Sequence, residues 1–409
     1  MNITTISGNT YSYIRRTNEI VEGIVEEQSY DWNFAPLASF SAMMDVSMFI
    51  IGITEQCNLR CTYCCYSGLY ENNRIHSTLR LTSSDIDEIL LFIQQTTLKR
   101  PVHIAFYGGE PLLQYYLIQH TVELGRTLIG KDTTFSITTN ATLLTQKRID
   151  WLMGQEIGLT VSLDGTKLYH DRHRVDADGN GSFDRVYAVL RYVKDNHPLQ
   201  KQLISLQMTM PSYDAIEKIA EEWHKDSLLR EFAPTSIHGL SVNFAQGVRK
   251  VVYEEVRLFY EHLIDVYEQH QDWMVLKVLL DESVAYWKNR PIMDASGSVP
   301  MATCMPVNTK LYIDSKKDIG VCEKVADKYR IGNVREGIDW AKANEMVREY
   351  YSRRVERCKQ CHAIRMCNMC LTALEYSDGQ WDVLCHNERV YARVFMFVFC
   401  EMAERGLVL

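Results

Sequence analysis

Three cysteines in one short segment constrain this chain more than any other feature of its sequence. Within ITEQCNLRCTYCCYSG, residues 53–68, three and then two residues separate Cys57, Cys61 and Cys64, and Cys65 follows directly. Thiolates are soft ligands that bind zinc or iron-sulfur clusters. A structural zinc site takes four ligands, whereas a cubane cluster held by three cysteines keeps one iron open. The spacing favours the cluster, because adjacent cysteines rarely point at the same metal.

The remaining composition indicates a packed globular protein of a reducing compartment. Of 409 residues, 46% are hydrophobic and 23% are charged. The formal charge of −8 provides no basic field for a polyanion, so we expect no nucleic-acid partner. The sequence starts without the order of a signal peptide and has no apolar run that could span a bilayer, which predicts a cytoplasmic protein outside membranes. Twelve cysteines there are expected to bind metals or perform redox chemistry.

The middle of the chain predicts an α/β fold. From residue 46 to about residue 246, short β-rich runs alternate with longer amphipathic stretches, an order typical of a parallel sheet with right-handed crossovers. Six such units predict a partial (β/α)6 TIM barrel. The predicted strands are VSMFIIGIT, VHIAFYG, TTFSITTN, LTVSLDG, LISLQMTM and GLSVNFAQ. The predicted helices include FDRVYAVLRYVKDN and SSDIDEILLFIQQTTL, the latter with Ser83 or Ser84 as its N-cap.

We predict five segments along the chain. The boundary near residue 300 is placed where a second group of cysteines begins, and the apolar stretch RVFMFVFCEMAER predicts a final helix with Cys400 in the core. The segments are an N-terminal part of unknown role (1–45), the partial barrel (46–250), a helical connection (251–300), a cysteine-rich region (301–388) and a C-terminal helix (389–409).

The first cysteine motif resembles the signature of the radical S-adenosylmethionine (SAM) enzymes, C-x3-C-x2-C directly after the first strand of a partial TIM barrel. The resemblance implies that Cys57, Cys61 and Cys64 hold a 4Fe-4S cluster that binds SAM. Tyr63 occupies the aromatic position before the third cysteine, which implies that its ring lies against the adenine.

The next strand ends carry further residues of the same resemblance, as expected for a barrel whose chemistry lies at the C-terminal ends of its strands. In YGGEPLL, Gly108 and Gly109 allow close backbone approach, and Glu110 resembles the end of the family's GGE motif, which binds the SAM amino group. Polar residues also commonly cap strand ends for structural reasons alone. The further implied SAM contacts are Thr138, Asn140, Ser162 and Asp164 for the ribose hydroxyls and Arg174 for the carboxylate.

Seven cysteines between residues 304 and 385 exceed what one metal site can use. Two zinc ribbons are one interpretation, because paired C-x2-C units also bind zinc. The run is also similar to the SPASM region of some radical SAM enzymes, which carries two auxiliary 4Fe-4S clusters, although its last gap has two residues instead of three. The implied ligands are Cys358, Cys361, Cys367 and Cys385 for a closed cluster, and Cys304, Cys322 and Cys370 for a second cluster with three thiolates. The open position of that second cluster invites a substrate cysteine, water or a non-cysteine ligand.

The stretch YSGLYENNRIHS resembles maturases of ribosomally made peptides, particularly the thioether-forming ranthipeptide and sactipeptide type. The implied enzyme cleaves SAM reductively, and the 5′-deoxyadenosyl radical removes hydrogen from a precursor peptide, in which a cysteine thioether then forms. An electron donor such as a flavodoxin or ferredoxin is implied as a second partner. The alternatives are a carbon-carbon crosslinking or sulfatase-type maturase, a peptide epimerase with Cys65 as hydrogen donor, and a zinc-binding interaction module. Cys65 is otherwise expected to be inert, and no other catalytic side chain is implied.

Overall fold

A computed structural model of the protein describes residues 1–26, 46–68, 75–97, 101–210, 213–239, 249–294, 307–323 and 327–407. The chain divides into two compact units. The smaller unit comprises Met1–Ser39, Val242–Cys304 and Met346–Leu409, and the larger unit comprises Phe40–Ser241 and Met305–Glu345. None of the helices in these described ranges is both long enough and apolar enough to cross a membrane.

The elements are numbered in chain order. The strands are β1 (Asn2–Thr4), β2 (Thr10–Ile14), β3 (Glu19–Glu22), β4 (Met48–Thr54), β5 (His103–Gly108), β6 (Thr134–Thr139), β7 (Gly158–Ser162), β8 (Ile204–Met210), β9 (Pro234–Gly239), β10 (Lys310–Ile313), β11 (Asp318–Gly320), β12 (Arg330–Asn333) and β13 (Gly337–Ile338). The helices are α1 (Ser83–Thr96), α2 (Tyr115–Leu128), α3 (Gln146–Gly154), α4 (Lys167–His173), α5 (Phe183–Asn196), α6 (Ile216–Lys225), α7 (Tyr253–Gln269), α8 (Met274–Asn289), α9 (Trp340–Cys358) and α10 (Asp378–Glu404).

A ten-stranded sheet organises the larger unit, in the order β13-β12-β11-β10-β4-β5-β6-β7-β8-β9. Strands β4 to β9 follow one another in chain order and all pair in parallel. Helices lie in the connections between them, which confirms the predicted α/β fold with six β/α units. The strands are apolar and buried, and Phe49, Ile51 and Ile53 of β4 have no exposed surface. Parallel strand ends therefore gather on one edge of this sheet.

Five of the six predicted barrel strands lie where the sequence places them, from β4 to β8. The sixth, β9, begins at Pro234 and ends at Gly239. The prediction had placed this strand over residues 239–246, of which 240–246 lie outside the described residues. A proline at the first position of a strand at the sheet edge leaves the ladder intact, because its missing N–H is not needed there.

Helix α1 begins at Ser83, which is at least one residue earlier than the predicted N-cap implied. The N-cap is Thr82, whose hydroxyl accepts a hydrogen bond from the backbone of Asp85, while the Asp85 carboxylate accepts one from the Thr82 backbone. The prediction of Ser83 or Ser84 as the cap is therefore wrong: both serines are inside the helix. All three residues are good caps, and the reciprocal bond with the residue at N3 selects Thr82.

Strand β10 joins the barrel sheet beside its first strand. Lys310 pairs with Met48 and Ile313 pairs with Ile51, in parallel. Strands β11, β12 and β13 extend the sheet from there in antiparallel order. Nothing in the sequence indicated this addition, because a short, largely apolar run without a preceding helical crossover looks like many other such runs.

In its described residues, the smaller unit contains a three-stranded antiparallel sheet, helices α7, α8 and α10, and most of α9. The sheet, β1-β2-β3, falls in the N-terminal segment to which no role was assigned, while residues 27–45 lie outside the described residues. Helix α10 begins at Asp378 after a capping box between Ser377 and Gln380, so the helix predicted from residue 389 starts earlier. Cys400 is 4% exposed on α10, as expected for a core residue.

Candidate active site

The three cysteines of the first motif lie on the loop that follows β4, at the C-terminal edge of the parallel sheet. Their sulfur atoms receive backbone hydrogen bonds, from Leu59 to Cys57 and from Tyr66 to Cys64, both at 3.4 Å. Burial raises the pKa of the Cys57 thiol to about 12, and a hydrogen bond with Cys65 together with burial raises the pKa of the Cys64 thiol to about 12. Such thiols become thiolates when a metal replaces their protons, and N–H···S bonds are typical of iron-sulfur sites.

A second segment holds this cysteine loop in place. The backbone amides of Arg60 and Thr62 donate to the carbonyl oxygens of Val175 and His173, at 2.7 and 2.9 Å. The Thr62 hydroxyl and Nδ1 of His173 are also 2.8 Å apart. The sequence analysis used this part of the chain only for the SAM contact of Arg174. In the structure, the backbone of His173 and Val175 fixes the shape of the metal-binding loop.

Two glycines bring the end of β5 against the start of the cysteine loop. Gly108 has a φ of +138°, and a Cβ at this position would lie 2.1 Å from the carbonyl oxygen of Thr54. A Cβ on Gly109 would lie 2.1 Å from the carbonyl oxygen of Gln56. Because any side chain would collide with the backbone here, the close approach requires glycine at both positions.

Glu110 is completely buried at the same strand end. One carboxylate oxygen, Oε1, accepts from the Leu112 amide at 3.0 Å and from the Thr139 hydroxyl at 2.8 Å. The other, Oε2, accepts from the Asn140 amide at 2.8 Å. Burial raises the pKa of Glu110, and the bonds from Asn140, Leu112 and Thr139 oppose that rise. The carboxylate thus ties β5 to the end of β6, while its contact with a SAM ammonium stays a prediction.

Asp164, Arg174 and Tyr63 form a buried cluster beside the cysteine loop. The Asp164 carboxylate accepts from Nε of Arg174 at 2.7 Å, from the Tyr63 hydroxyl, and from the Thr209 amide at 2.9 Å. The guanidinium of Arg174 lies over the Tyr63 ring, 5.4 Å from its centroid. Burial raises the pKa of the Cys61 thiol, and the charge of Arg174 opposes that rise. The ion pair therefore places a positive charge next to one cysteine of the motif.

Two histidines support this arrangement, and the sequence analysis did not identify either. Nδ1 of His170 accepts from the Asp164 amide at 3.2 Å, so the proton is on Nε2, which is 2.9 Å from the Ser182 hydroxyl. His76 approaches Cys64, with Nε2 at 3.4 Å from the sulfur, and its Nδ1 donates to the Glu55 carbonyl at 2.9 Å. His76 belongs to the YSGLYENNRIHS stretch, so its proximity to the motif was the available signal.

The remaining predicted SAM contacts lie on the same edge of the sheet. Nδ2 of Asn140 donates to Oδ1 of Asn58 at 3.0 Å and lies 3.9 Å from the Cys57 sulfur. Asn140 therefore joins the end of β6 to the cysteine loop. Thr138 and Ser162 are partly exposed near the ends of β6 and β7. The contacts of all these residues with SAM stay predictions.

Four cysteines of the second group line a separate cavity in the smaller unit, namely Cys358, Cys361, Cys367 and Cys385. Burial raises the pKa of Cys367 to about 12 and that of Cys385 to about 11. Two arginine nitrogens in this cavity, Nη2 of Arg354 and Nε of Arg357, are buried without a hydrogen-bond partner. Four thiols beside buried cationic donors fit an anionic iron-sulfur cluster.

The second predicted auxiliary site is only partly described. Cys304 lies outside the described residues, Cys322 follows β11 in the larger unit, and Cys370 is exposed in the smaller unit. Within the described ranges, no three His, Cys, Asp or Glu side chains are placed to hold a single metal ion. The assignment of clusters therefore depends on the donor sets and their hydrogen bonds, and the grouping of Cys304, Cys322 and Cys370 stays a prediction.

Comparisons with known proteins agree with the geometry of the first site. The chain is 24% identical over 384 residues to the cysteine-type anaerobic sulfatase-maturating enzyme of Clostridium perfringens (strain 13 / Type A), covering 87% of this chain and 97% of that protein. It is 25% identical over 313 residues to the enzyme of the same name from Clostridium novyi (strain NT), covering 72% and 78%. The solved structure of native anSMEcpe with bound AdoMet superimposes with a TM-score of 0.66 at 19% identity, over 88% of this chain and 99% of that one, which shows a shared fold. Residues 51–222 match the radical SAM superfamily. The matched residues therefore form a radical SAM domain, which makes the protein an enzyme.

Proposed function

We propose that the protein cleaves SAM reductively and uses the resulting 5′-deoxyadenosyl radical to modify a cysteine-containing peptide. The observation that carries this proposal is the cysteine loop after β4, which hydrogen bonds connect to the ends of β5 and β6 and to the segment after α4. Cys57, Cys61 and Cys64 would hold a 4Fe-4S cluster, which would supply the electron for SAM cleavage. The protein's own residues bind SAM, orient it and exclude water.

Glu110 retains the capacity to bind the SAM amino group. A carboxylate offers about four lone-pair positions. The three hydrogen bonds to Glu110 occupy both positions on Oε1 and one on Oε2. One position on Oε2 is therefore left for an ammonium N–H. Since the three existing donors fix the carboxylate, binding an ammonium there requires little reordering of the side chain.

Arg174 and Tyr63 are proposed to bind the other parts of SAM. Arg174 donates from Nε to Asp164, and its two terminal nitrogens are proposed to bind the SAM carboxylate. The hydroxyl of Tyr63 is fixed by Asp164, which holds its ring in one orientation for the adenine. Asp164 thus orients both Arg174 and Tyr63. The ribose contacts are assigned to Thr138, Asn140 and Ser162 at the adjacent strand ends.

The proposed substrate is a peptide whose cysteine is oxidised. The curated relatives are named as cysteine-type sulfatase-maturating enzymes, and one solved neighbour is described with bound AdoMet and a Cp18Cys peptide. We propose a thioether crosslink as the product, because the second cysteine group offers an auxiliary cluster with an open position for a peptide thiolate. Sulfatase-type maturation is the second candidate, favoured by the names of the relatives that cover most of the chain.

Two auxiliary clusters complete the proposal. The cavity lined by Cys358, Cys361, Cys367 and Cys385 would hold the closed cluster. Cys304, Cys322 and Cys370 would hold the second cluster, with its remaining iron position open to the peptide. Forming a C–S bond from a thiol and a carbon radical releases one electron and one proton, and an auxiliary cluster is the proposed electron acceptor. A flavodoxin or ferredoxin is the proposed electron donor to the first site.

The test uses the anaerobically reconstituted protein with dithionite, SAM and a pool of synthetic cysteine-containing peptides. We expect 5′-deoxyadenosine to form in the wild type and not in Cys61→Ala. A peptide product two hydrogens lighter, with no free thiol, supports the thioether. Any other mass change at the cysteine rejects the thioether but keeps peptide modification. A mass that is unchanged in ordinary water, with one deuterium incorporated in deuterated water, supports an epimerase instead. Absence of 5′-deoxyadenosine contradicts SAM cleavage.

A further inference from the structure

A buried arginine lies beside the cysteines of the auxiliary cavity without an ion-pair partner among the described residues. Arg354 is 1% exposed on α9, and its Nη2 has no hydrogen-bond partner. In the described part of the chain, no carboxylate forms an ion pair with this guanidinium. A buried charge without a partner is strongly unfavourable, so a buried arginine of this kind indicates an anion that belongs next to it.

The helix places Arg354 one turn before the first cysteine of the cavity. Tyr350, Arg354 and Cys358 are spaced by four residues on α9, which puts them on one face of the helix. The guanidinium lies over the Tyr350 ring, 5.8 Å from its centroid, and its Nη1 donates to the Tyr350 hydroxyl at 3.5 Å. Arg354 lines the same cavity as Cys358 and Cys367, so these contacts hold the charge beside the thiols.

Other charged groups around the cavity are already occupied. Arg357 pairs with the exposed Asp378 at 2.8 Å, so its charge is largely compensated at the rim. Glu388 also lines the cavity, and its carboxylate accepts from the Asn368 amide at 2.8 Å. Arg389 is only partly buried, and its charge opposes the burial that raises the pKa of the Cys361 thiol. Arg354 is the cavity arginine that combines complete burial with an unused N–H.

We infer that Arg354 is a positioning residue for an iron-sulfur cluster held by Cys358, Cys361, Cys367 and Cys385, and that its charge raises the reduction potential of this cluster. This inference rests on the auxiliary-cluster part of the proposed function. A cluster with four thiolates is negatively charged, and reduction adds one more negative charge. A fixed cation in a buried site stabilises the reduced form more than the oxidised form, which makes reduction easier.

The test isolates this cluster within the full-length chain. A background variant carries alanine at the six cysteines of the other two proposed sites, Cys57, Cys61, Cys64, Cys304, Cys322 and Cys370. Anaerobic reconstitution of this background should leave about four irons per chain, the content of one cubane. The midpoint potential is then followed by electron paramagnetic resonance during a redox titration. An iron-free background would overturn the cavity cluster and this inference, while peptide modification by the wild type would stay testable on its own.

Arg354→Gln is expected to lower the equilibrium constant for reduction of the cluster at least tenfold. For a one-electron couple, this lowers the midpoint potential by about 59 mV or more. Arg354→Lys keeps the charge and should restore most of that shift. The matched control is Arg348→Gln, which removes an exposed charge from the same helix and should leave the potential unchanged.

The outcomes separate cleanly. Arg354→Gln with full iron content and an unchanged potential would overturn the inference, as would a shift in Arg354→Lys as large as that in Arg354→Gln. If Arg354→Gln loses its iron while Arg354→Lys retains both iron and potential, the charge is required to hold the cluster, and the inference is supported. Equal loss of iron in both variants would show a packing role and overturn it.

Discussion

The backbone amide of Glu110 donates a 2.8 Å hydrogen bond to the carbonyl oxygen of Gln56, the residue before the first motif cysteine. This bond, together with the 2.9 Å bond from Gly109 to Thr54, joins two strand ends that are far apart in sequence. The GGE turn and the cysteine loop thus form one connected structure. A change in either should alter both SAM binding and iron binding.

Gly109→Ala tests that connection. The added Cβ would meet the Gln56 carbonyl oxygen at 2.1 Å, so the turn and the loop must move apart. We expect a loss of about 1–3 kcal/mol in the free energy of unfolding, in the range of other overpacked sites, and reduced iron at the first site. Urea unfolding and iron analysis measure both. Gly154→Ala is the control, because nothing lies within 4 Å of its Cβ position at the end of α3. Equal behaviour of the two variants would contradict the prediction.

Asp164→Asn should leave Arg174 buried without its counter-charge. Both side chains are largely buried, with 2% and 11% exposed, so we expect a loss of about 3–5 kcal/mol in unfolding free energy. The control is Asp184→Asn, which removes the exposed partner of Lys167 and should cost less than about 1 kcal/mol. Urea unfolding compares the two variants. A cost for Asp164→Asn no larger than that of the control would show that the pair contributes little.

The cysteine assignments predict iron contents. Three cubanes hold about twelve irons per chain after anaerobic reconstitution. Cys61→Ala and Cys361→Ala should each lower that content by about four, since they act on different clusters. Cys400→Ala should leave it unchanged, because Cys400 lies in the core of α10. About four irons and two zincs in the wild type would keep the first site and replace both auxiliary clusters by zinc ribbons. Zinc without iron would contradict all three sites.

The hydrogen bonds to Glu404 should make the free energy of unfolding of the smaller unit depend on pH. Burial disfavours its ionised form, but hydrogen bonds from Ser7, Tyr11, Asn9 and Thr5 outweigh this and lower the pKa of Glu404 below its ordinary 4.5. A carboxyl with a lowered folded-state pKa stabilises the protein above its ordinary pKa, and that contribution disappears as the pH falls through the lowered value. Glu404→Gln should therefore be less stable than the wild type at about pH 7, and the difference should shrink towards about pH 3.

The same contact acts in the opposite direction at high pH. The hydrogen bond to Glu404 is the main cause that raises the pKa of Tyr11 from 10.0 to about 12. A phenol with a raised folded-state pKa stabilises the protein fully below its ordinary pKa, and the contribution is lost as the pH rises from about 10 to about 12. Tyr11→Phe should remove this part of the alkaline decline in urea midpoints. A decline identical to that of the wild type would contradict the assignment.

The sequence was informative where the relevant residues are neighbours in the chain. Buried parallel strands appear in a sequence as nearly continuous apolar runs, so β4 to β8 could be located from the sequence alone. The metal-binding spacing and the glycines after β5 are equally local. The Thr82 cap was less predictable, because Thr82, Ser83 and Ser84 are all good caps and only the bond to Asp85 distinguishes them.

The parts that escaped prediction depend on contacts through space. The bond of Arg174 to Asp164 spans ten residues. The hydrogen bond between Arg60 and Val175 joins two positions that strands β5, β6 and β7 separate in the sequence. Neither residue pair has a spacing that marks it. The unpartnered nitrogen of Arg354 could not be inferred either, because burial is a property of the fold rather than of the α9 sequence.

The position of β10 affects how the protein reaches its fold during synthesis. Strand β4 is made early, yet its outer neighbour, which pairs Lys310 with Met48, is made near the end of the chain. At about 5–20 residues per second, β4 waits on the order of tens of seconds for this partner. An unpaired strand edge is a template for pairing with other chains. The nascent enzyme is therefore most vulnerable to aggregation along β4, and slower translation between these two strands should lower its yield.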